Sequence, residues 1–331
     1  MTTKRYVSGL VVGKFAPLHR GHERLIDAAL AACERVAVMA WSNPDFPDMP
    51  AAVRAGWLRA RFPTADVFAF DADDAPPNDA PGPVHWQFVT KHLPYAIDAV
   101  FTGGEAYGDA FATALGAAHE TIDRRHDGVS GTDVRPDPLA GDALSPDVRA
   151  HFVQKIAFLG AESTGKSTLV EALAARTGEP MVEEVGRRLW VEAGGELPLS
   201  EYETICREHV ALEDEAARRA RRFVFVDTNA VTTQEYAFFF FGRCPPEVQA
   251  YAGRCLARYA RTFVCAPDIP FDQDGTRVHP QVQQYMHGAI LNDLTLRGIP
   301  YDVIGGTVDE RVRAVLMAIG YSSRNAVSGS M

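Results

Sequence analysis

Eight residues, GAESTGKS at 160–167, constrain this chain more than any others. They fill the pattern G-x-x-x-x-G-K-[ST] completely, and the run KIAFLG before them and KSTLVEALAART after them supply the required strand and helix. In such a loop Gly160 and Gly165 let the backbone close on phosphate, and amide N–H groups at the helix start bind the anion. The Lys166 ammonium reaches the β and γ oxygens. Glu162, Ser163, Thr164 and Thr168 complete the cradle, and the Ser167 hydroxyl would ligate Mg²⁺.

The same rhythm of short apolar strand and amphipathic helix runs along the whole chain, which predicts parallel sheets of the α/β class. In the first half it reads YVSGLVVG, HERLIDAALAAC, RVAVMAW, then AAVRAGWLRARF, DVFAF, VHWQFVTKHL and DAVFTG. A proline- and glycine-rich stretch at 129–148 interrupts it, and residues 71–83 read as a surface loop. We therefore expect one domain over 1–148, a second over 149–321 and a frayed tail at 322–331. In the second half EVQAYAGRCLARYA is expected to form one helix and YETICREHVALEDEAARRARR a long one.

With 331 residues, 47% of them hydrophobic and 23% charged, the chain suits two globular domains. Its formal charge of −10 argues against a general nucleic-acid or membrane-surface binder, because those footprints need clustered Lys and Arg. Five cysteines without a C-x-x-C pair read as reduced thiols in a cytoplasmic protein, and neither a signal peptide nor a membrane span is evident. The composition is compatible with a homo-oligomer.

A P-loop needs an acidic partner. Asp227, ending the run FVFVDT, stands where such sheets present a metal-binding carboxylate, or it is a turn residue. Glu184 could take a proton from a substrate hydroxyl. Arg277, in the loop FDQDGTR, could reach a transferring phosphoryl group from a lid, or be a solvated arginine. These features suit a kinase for a small molecule; no N-K-x-D tetrapeptide supports a GTPase.

A second phosphate site is expected near the start of the chain. GKFAPLHRGH at 13–22 places Lys14, His19 and His22 about a strand-to-helix turn with Gly13, Phe15 and Gly21. Two imidazoles three residues apart at a helix tip can hold adjacent phosphates of ATP, which suits nucleotidyl transfer without a protein nucleophile. A zinc pair is the lesser reading, for want of a third ligand.

This stretch resembles the signature of nucleotidylyltransferases with the H-x-G-H motif, and VSGTDVR at 129–135 resembles their second motif, in which Ser130, Thr132 and Arg135 face phosphate. The order of the two halves resembles the bifunctional NadR type, a nicotinamide-nucleotide adenylyltransferase fused to a ribosylnicotinamide kinase. Further likenesses are E-x-G-R at 184–187, D-T-x-x-V-T-T-Q at 227–234 and D-G-x-R at 274–277. The resemblance implies an N-terminal Rossmann-like domain and a C-terminal P-loop kinase domain. It implies phosphorylation of nicotinamide riboside to NMN, then adenylyl transfer from ATP to give NAD, with Mg²⁺ as cofactor. It further implies that Arg187 contacts substrate, that Trp86 stacks on the nicotinamide or belongs to the core, and that Glu105 is an adenosine-side contact. The sheet begins near residue 6, so no helix-turn-helix and no DNA-binding role are expected. The alternative is a sensor that binds ATP and NAD with weak catalysis.

Overall fold

The computed structural model describes residues 4–122, 130–269 and 280–321, without the side chains of 105–107 and 280. The chain divides into two compact units, Met1–Arg149 and Ala150–Met331. Arg277 and the tail 322–331 lie outside the described residues, as does the Glu105 side chain.

The first unit is built on strands β1 (Tyr6–Gly13), β2 (Cys33–Ala40), β3 (Asp66–Ala69), β4 (Ala99–Thr102) and β5 (Ala118–Thr121). They form one sheet in the order β3-β2-β1-β4-β5, and every pairing is parallel. The second unit uses β6 (Gln154–Leu159), β7 (Met181–Val182), β8 (Phe223–Asp227), β9 (Arg261–Cys265) and β10 (Asp302–Ile304), in the order β10-β9-β6-β8-β7, again all parallel. The expectation of two parallel-sheet α/β domains is met.

Parallel strands covered by helices lose water from both faces, so they read as unbroken apolar runs rather than as alternating ones. Phe158, Phe225 and Phe263, on three adjacent strands, are all buried, and the Phe158 and Phe263 rings stack with centroids 5.6 Å apart. Each such ring contributes about 1.5–3 kcal/mol by burial.

Some elements differ from expectation. Two short strands, β5 and β7, and the helix Pro146–Phe152 escape the sequence reading, the helix because it begins inside the proline-rich stretch. The single helix expected over 247–260 is two, Pro246–Gly253 and Cys255–Arg258, meeting at Arg254. Glu184 stands at the N-cap of a further helix, Val185–Glu192.

In both sheets the chain leaves the central strand at its carboxyl end and its neighbours lie to either side, the position at which open α/β sheets bind ligands. The loop at 13–19 follows β1, and the loop at 160–165 follows β6.

Candidate active sites at the two strand-to-helix loops

The first loop is shaped by a tight reversal after β1. Phe15 has φ of 49°, uncommon for a side chain of its size, and its ring folds back over Gly13. A Cβ at Gly13 would stand 3.1 Å from that ring, so any side chain there would press the ring outward. His19 takes the N-cap position of the helix Arg20–Ala32 with extended backbone, and Gly21 is buried in the first turn. The His19 and His22 rings then stack, centroids 3.7 Å apart and 21° from parallel, while Phe15 meets His22 edge-on at 5.0 Å.

The distant second motif closes on this loop. Arg135 donates from Nη1 to the Ala16 carbonyl at 2.9 Å and from Nη2 to Thr132 Oγ1 at 2.9 Å. A carbon added at Gly131 would stand 3.7 Å from His19 Nε2, so the start of the short helix Gly131–Val134 faces the imidazoles. Ser130 caps that helix: its Oγ accepts from the Asp133 N–H at 3.2 Å and donates to Asp133 Oδ2 at 2.5 Å. The Ser130 hydroxyl thus both donates to and accepts from Asp133. Lys14 is open to solvent, yet local desolvation and then the Arg135 charge hold its ammonium below the ordinary lysine value.

Sequence reasoning missed Arg54. It is fully buried, donates from Nη1 to the Lys14 carbonyl at 2.7 Å, from Nε to the Met49 carbonyl at 2.9 Å, and pairs with Asp45 at 2.5 Å. It therefore holds the loop from beneath. The signal was present, since Arg54 shares the core face of its helix with Ala51, Ala55 and Leu58. Trp86 is half-buried against the cluster of Leu10, Trp41, Val89 and Phe111, and its Nε1 is buried with no hydrogen-bond partner. Those contacts bear out its packing role and leave its ring edge as a candidate contact.

The second loop turns on its own glycines. Gly160 has φ of 141°, and a Cβ there would meet the Cys265 carbonyl at 2.9 Å. Thr164 Oγ1 donates to the Ala161 carbonyl at 2.8 Å, as does Lys166 Nζ at 3.0 Å, so the lysine lies over the loop. Gly165 caps the helix Lys166–Thr177, on whose first turn Ser167 and Thr168 stand. Register decides the acid: Phe158 of β6 pairs with Asp227 of β8, which sets the Asp227 carboxylate beside the loop. Asp227 is 3% exposed and its Oδ1 has no hydrogen-bond partner.

Glu184 joins the same group. Burial raises its carboxyl above the ordinary glutamate value and the negative Asp227 raises it further, against the opposing charges of Lys166 and Arg187. Some solvent contact remains at the residue, while desolvation of the carboxyl is the largest cause of the rise. The structure thus brings together Lys166, Glu184, Asp227, Glu162 and Arg187. An orphaned carboxylate oxygen in a set of carboxylate and hydroxyl groups is hard-oxygen chemistry that fits Mg²⁺. Among the described residues no three His, Cys, Asp or Glu side chains cluster as a ready metal site.

Three supports of this loop also escaped the sequence reading. Tyr236 hydrogen-bonds to Glu162, and burial with the Glu162 and Glu184 charges pushes its hydroxyl well above the ordinary tyrosine value. Gln283 donates to the Glu162 carbonyl at 2.8 Å. Arg311, 2% exposed, donates to the Thr164 carbonyl at 2.6 Å and pairs with Asp268. Like Arg54, Arg311 sits on a core face, beside Val315. A cavity of about 260 Å³ in this unit is bordered by His209, Glu213, Thr228 and Arg258 and by none of the loop residues.

Fold and loops together define a protein of two α/β nucleotide-binding units, the second with a P-loop. A family model described as an AAA domain matches residues 155–311. The trifunctional NAD biosynthesis/regulator protein NadR of Escherichia coli (strain K12) is 28% identical over 298 residues, covering 81% of this chain and 71% of that protein. Its counterpart in Salmonella typhimurium (strain LT2) is 27% identical over 297 residues, with the same coverage. A crystal structure of NadR in complex with NR superposes with a TM-score of 0.72 at 21% identity, covering 97% of this chain and 98% of that one. A second, in complex with NAD and AMP-PNP, gives 0.70 with the same identity and coverage. By sequence and by fold the chain is similar to NadR. No helix among the described residues is long and apolar enough to cross a membrane.

Proposed function

We propose that the protein makes NAD from nicotinamide riboside in two ATP-dependent steps, one at each loop. The observation that carries the reading is the gathering of Lys166, Glu184 and Asp227 at the second loop, in a chain whose homologues along both units are NadR.

In the second unit the loop amides and Lys166 hold the β and γ phosphates of ATP. Glu184, its proton affinity raised by burial, accepts the proton of the riboside 5′-hydroxyl as that oxygen attacks the γ-phosphorus; ADP leaves with the bond electrons. Arg187 stands beside Glu184 and is assigned to the substrate. Ser167 and Asp227 would hold Mg²⁺, which would offset charge on the transferring phosphates. Glu162, fixed by Tyr236 and Gln283, keeps the loop in place.

In the first unit a phosphate oxygen of NMN attacks the α-phosphorus of a second ATP, giving NAD and pyrophosphate. His19, His22 and Lys14 offset the charge that develops on the leaving pyrophosphate, and Arg135 ties the second motif to the loop. Thr132 and the backbone start of the helix Gly131–Val134 face the same phosphates. Trp86 and Glu105 are assigned to the nicotinamide and adenosine sides, and Arg277 to the transferring phosphoryl group.

The test is one incubation of the purified protein with nicotinamide riboside, ATP and Mg²⁺, with chromatography of the products. Catalytic appearance of NAD, with NMN as a transient, supports both steps. Binding of ATP and NAD without turnover favours a nucleotide sensor instead.

A further inference from the structure

The carboxylate at the end of β8 is followed by a strained residue. Thr228 has φ of 69°, a left-handed conformation that a β-branched residue rarely adopts. The 227–228 peptide is nevertheless gripped at both of its polar atoms. Its N–H donates to the Phe158 carbonyl at 3.0 Å, across from the P-loop strand. Its C=O, that of Asp227, faces His209 Nε2 at 3.2 Å.

His209 is itself held firmly. It is 4% exposed on the helix Glu201–Arg219, and its Nδ1 lies 3.0 Å from Oε1 of Glu213, one turn along. The ring therefore bridges the Asp227 carbonyl and the Glu213 carboxylate, one ring nitrogen to each. Glu213 is fully buried and accepts further bonds from Arg258 Nε at 2.5 Å and the Tyr259 hydroxyl at 2.6 Å, with Lys155 Nζ at 3.7 Å. Arg258 and Lys155 are tied in turn to Asp214, at 2.8 and 2.6 Å. A closed polar network therefore ends on one backbone carbonyl, that of the P-loop acid.

We propose that His209 is a positioning residue for phosphoryl transfer: it clamps the 227–228 peptide against relaxation toward negative φ, and so keeps the Asp227 carboxylate beside Lys166. Released from the clamp, the peptide turns, and Asp227 shifts together with the start of the helix Ala230–Phe241. That helix carries Tyr236, the partner of Glu162 in the loop, so both sides of the phosphate site move. The inference rests on the phosphoryl-transfer reading above and adds a residue that touches neither substrate nor phosphate.

Two substitutions separate the two bonds of the ring. His209→Gln places a donor where Nε2 stood and keeps the Asp227 carbonyl bond, losing Glu213. His209→Asn places a donor where Nδ1 stood and keeps Glu213, losing the carbonyl. Each variant is assayed in the full chain for riboside phosphorylation, for NMN adenylylation, for Mg·ATP affinity by calorimetry and for thermal unfolding. The expected result is a kcat for phosphorylation lowered roughly tenfold or more in His209→Asn, with much of it retained in His209→Gln. KM for the riboside stays within about twofold and adenylylation is unchanged. Equal kcat in both variants and the wild type overturns the proposal, and so does a loss that merely tracks the unfolded fraction. If the wild type proves not to phosphorylate the riboside, the substrate assignment fails, and Mg·ATP affinity decides the clamp alone. Weakening in Asn but not Gln then supports it, and equal affinity overturns it.

Discussion

The loop at 13–22 and the loop at 160–167 both follow the central strand of a five-stranded parallel sheet, yet they collect their charge differently. The second carries its own lysine over its own backbone, and only an acid from the neighbouring strand must arrive by register. The first collects two stacked imidazoles and an exposed lysine, and Arg135 joins it from the far end of the unit. A self-contained loop is recognisable from eight residues. A composite one requires the tertiary fold to bring its second half. In both, a fully or nearly buried arginine that sequence patterns call surface, Arg54 or Arg311, holds a loop carbonyl from below.

The sharpest way to break this comparison is to remove one cation from each loop. Lys166→Ala is expected to lower riboside phosphorylation by roughly a thousandfold or more and to leave NMN adenylylation intact, while His22→Ala does the reverse. Loss of both activities from either change in a folded protein would mean that the sites are not independent. Next in size, Glu184→Gln should lower phosphorylation about 10²–10⁴-fold. The wild-type rate should fall as the pH drops through the raised Glu184 value, because protonation removes the acceptor; its acid limb therefore lies above the ordinary glutamate range. A pH–kcat profile that is flat through that region would remove Glu184 from the base role.

The supports beneath the loops give smaller effects, read as stability. Arg54→Met leaves Asp45 unpaired and the Lys14 carbonyl without its donor, and should cost the first unit about 3–5 kcal/mol in urea unfolding while sparing phosphorylation. Glu213→Gln is the counterpart in the second unit. Burial pushes the Glu213 carboxyl up, but the His209 and Tyr259 hydrogen bonds and the Arg258 charge bring it below the ordinary value. Its contribution is thus fully present above the ordinary carboxylate value and is lost as the pH falls through the lowered one. The stability gap between wild type and Glu213→Gln should shrink over that interval, and a gap constant with pH would refute the charge argument. Smallest is Ser130→Ala, which removes the cap of a four-residue helix and should cost about 1 kcal/mol with a modest loss of adenylylation.

Much of this was legible beforehand because local chemistry fixes it. Gly160, Gly165 and Lys166 need no distant partner to mark a phosphate loop, and the unbroken apolar runs of β6, β8 and β9 announce a buried parallel sheet. The roles of Tyr236, Gln283, Arg311, Arg54 and His209 were not read from sequence. Tyr236 lay in an apolar aromatic run, and the two arginines were hidden by the expectation that charge faces water. The strands β5 and β7 were too short to show a pattern.

The sequence by itself determined two α/β halves, the order in which they occur, and the two strand-to-helix loops on which the candidate phosphate residues stand. Those are properties of short contiguous segments, whose glycines, lysine and histidines act on the backbone next to them. Only the tertiary structure decided how Arg135 reaches the Ala16 carbonyl, what holds the two loops from below, and what grips the 227–228 peptide. Strand register and helix packing set those contacts, and both arise from burial summed over the whole sheet, which no single segment contains.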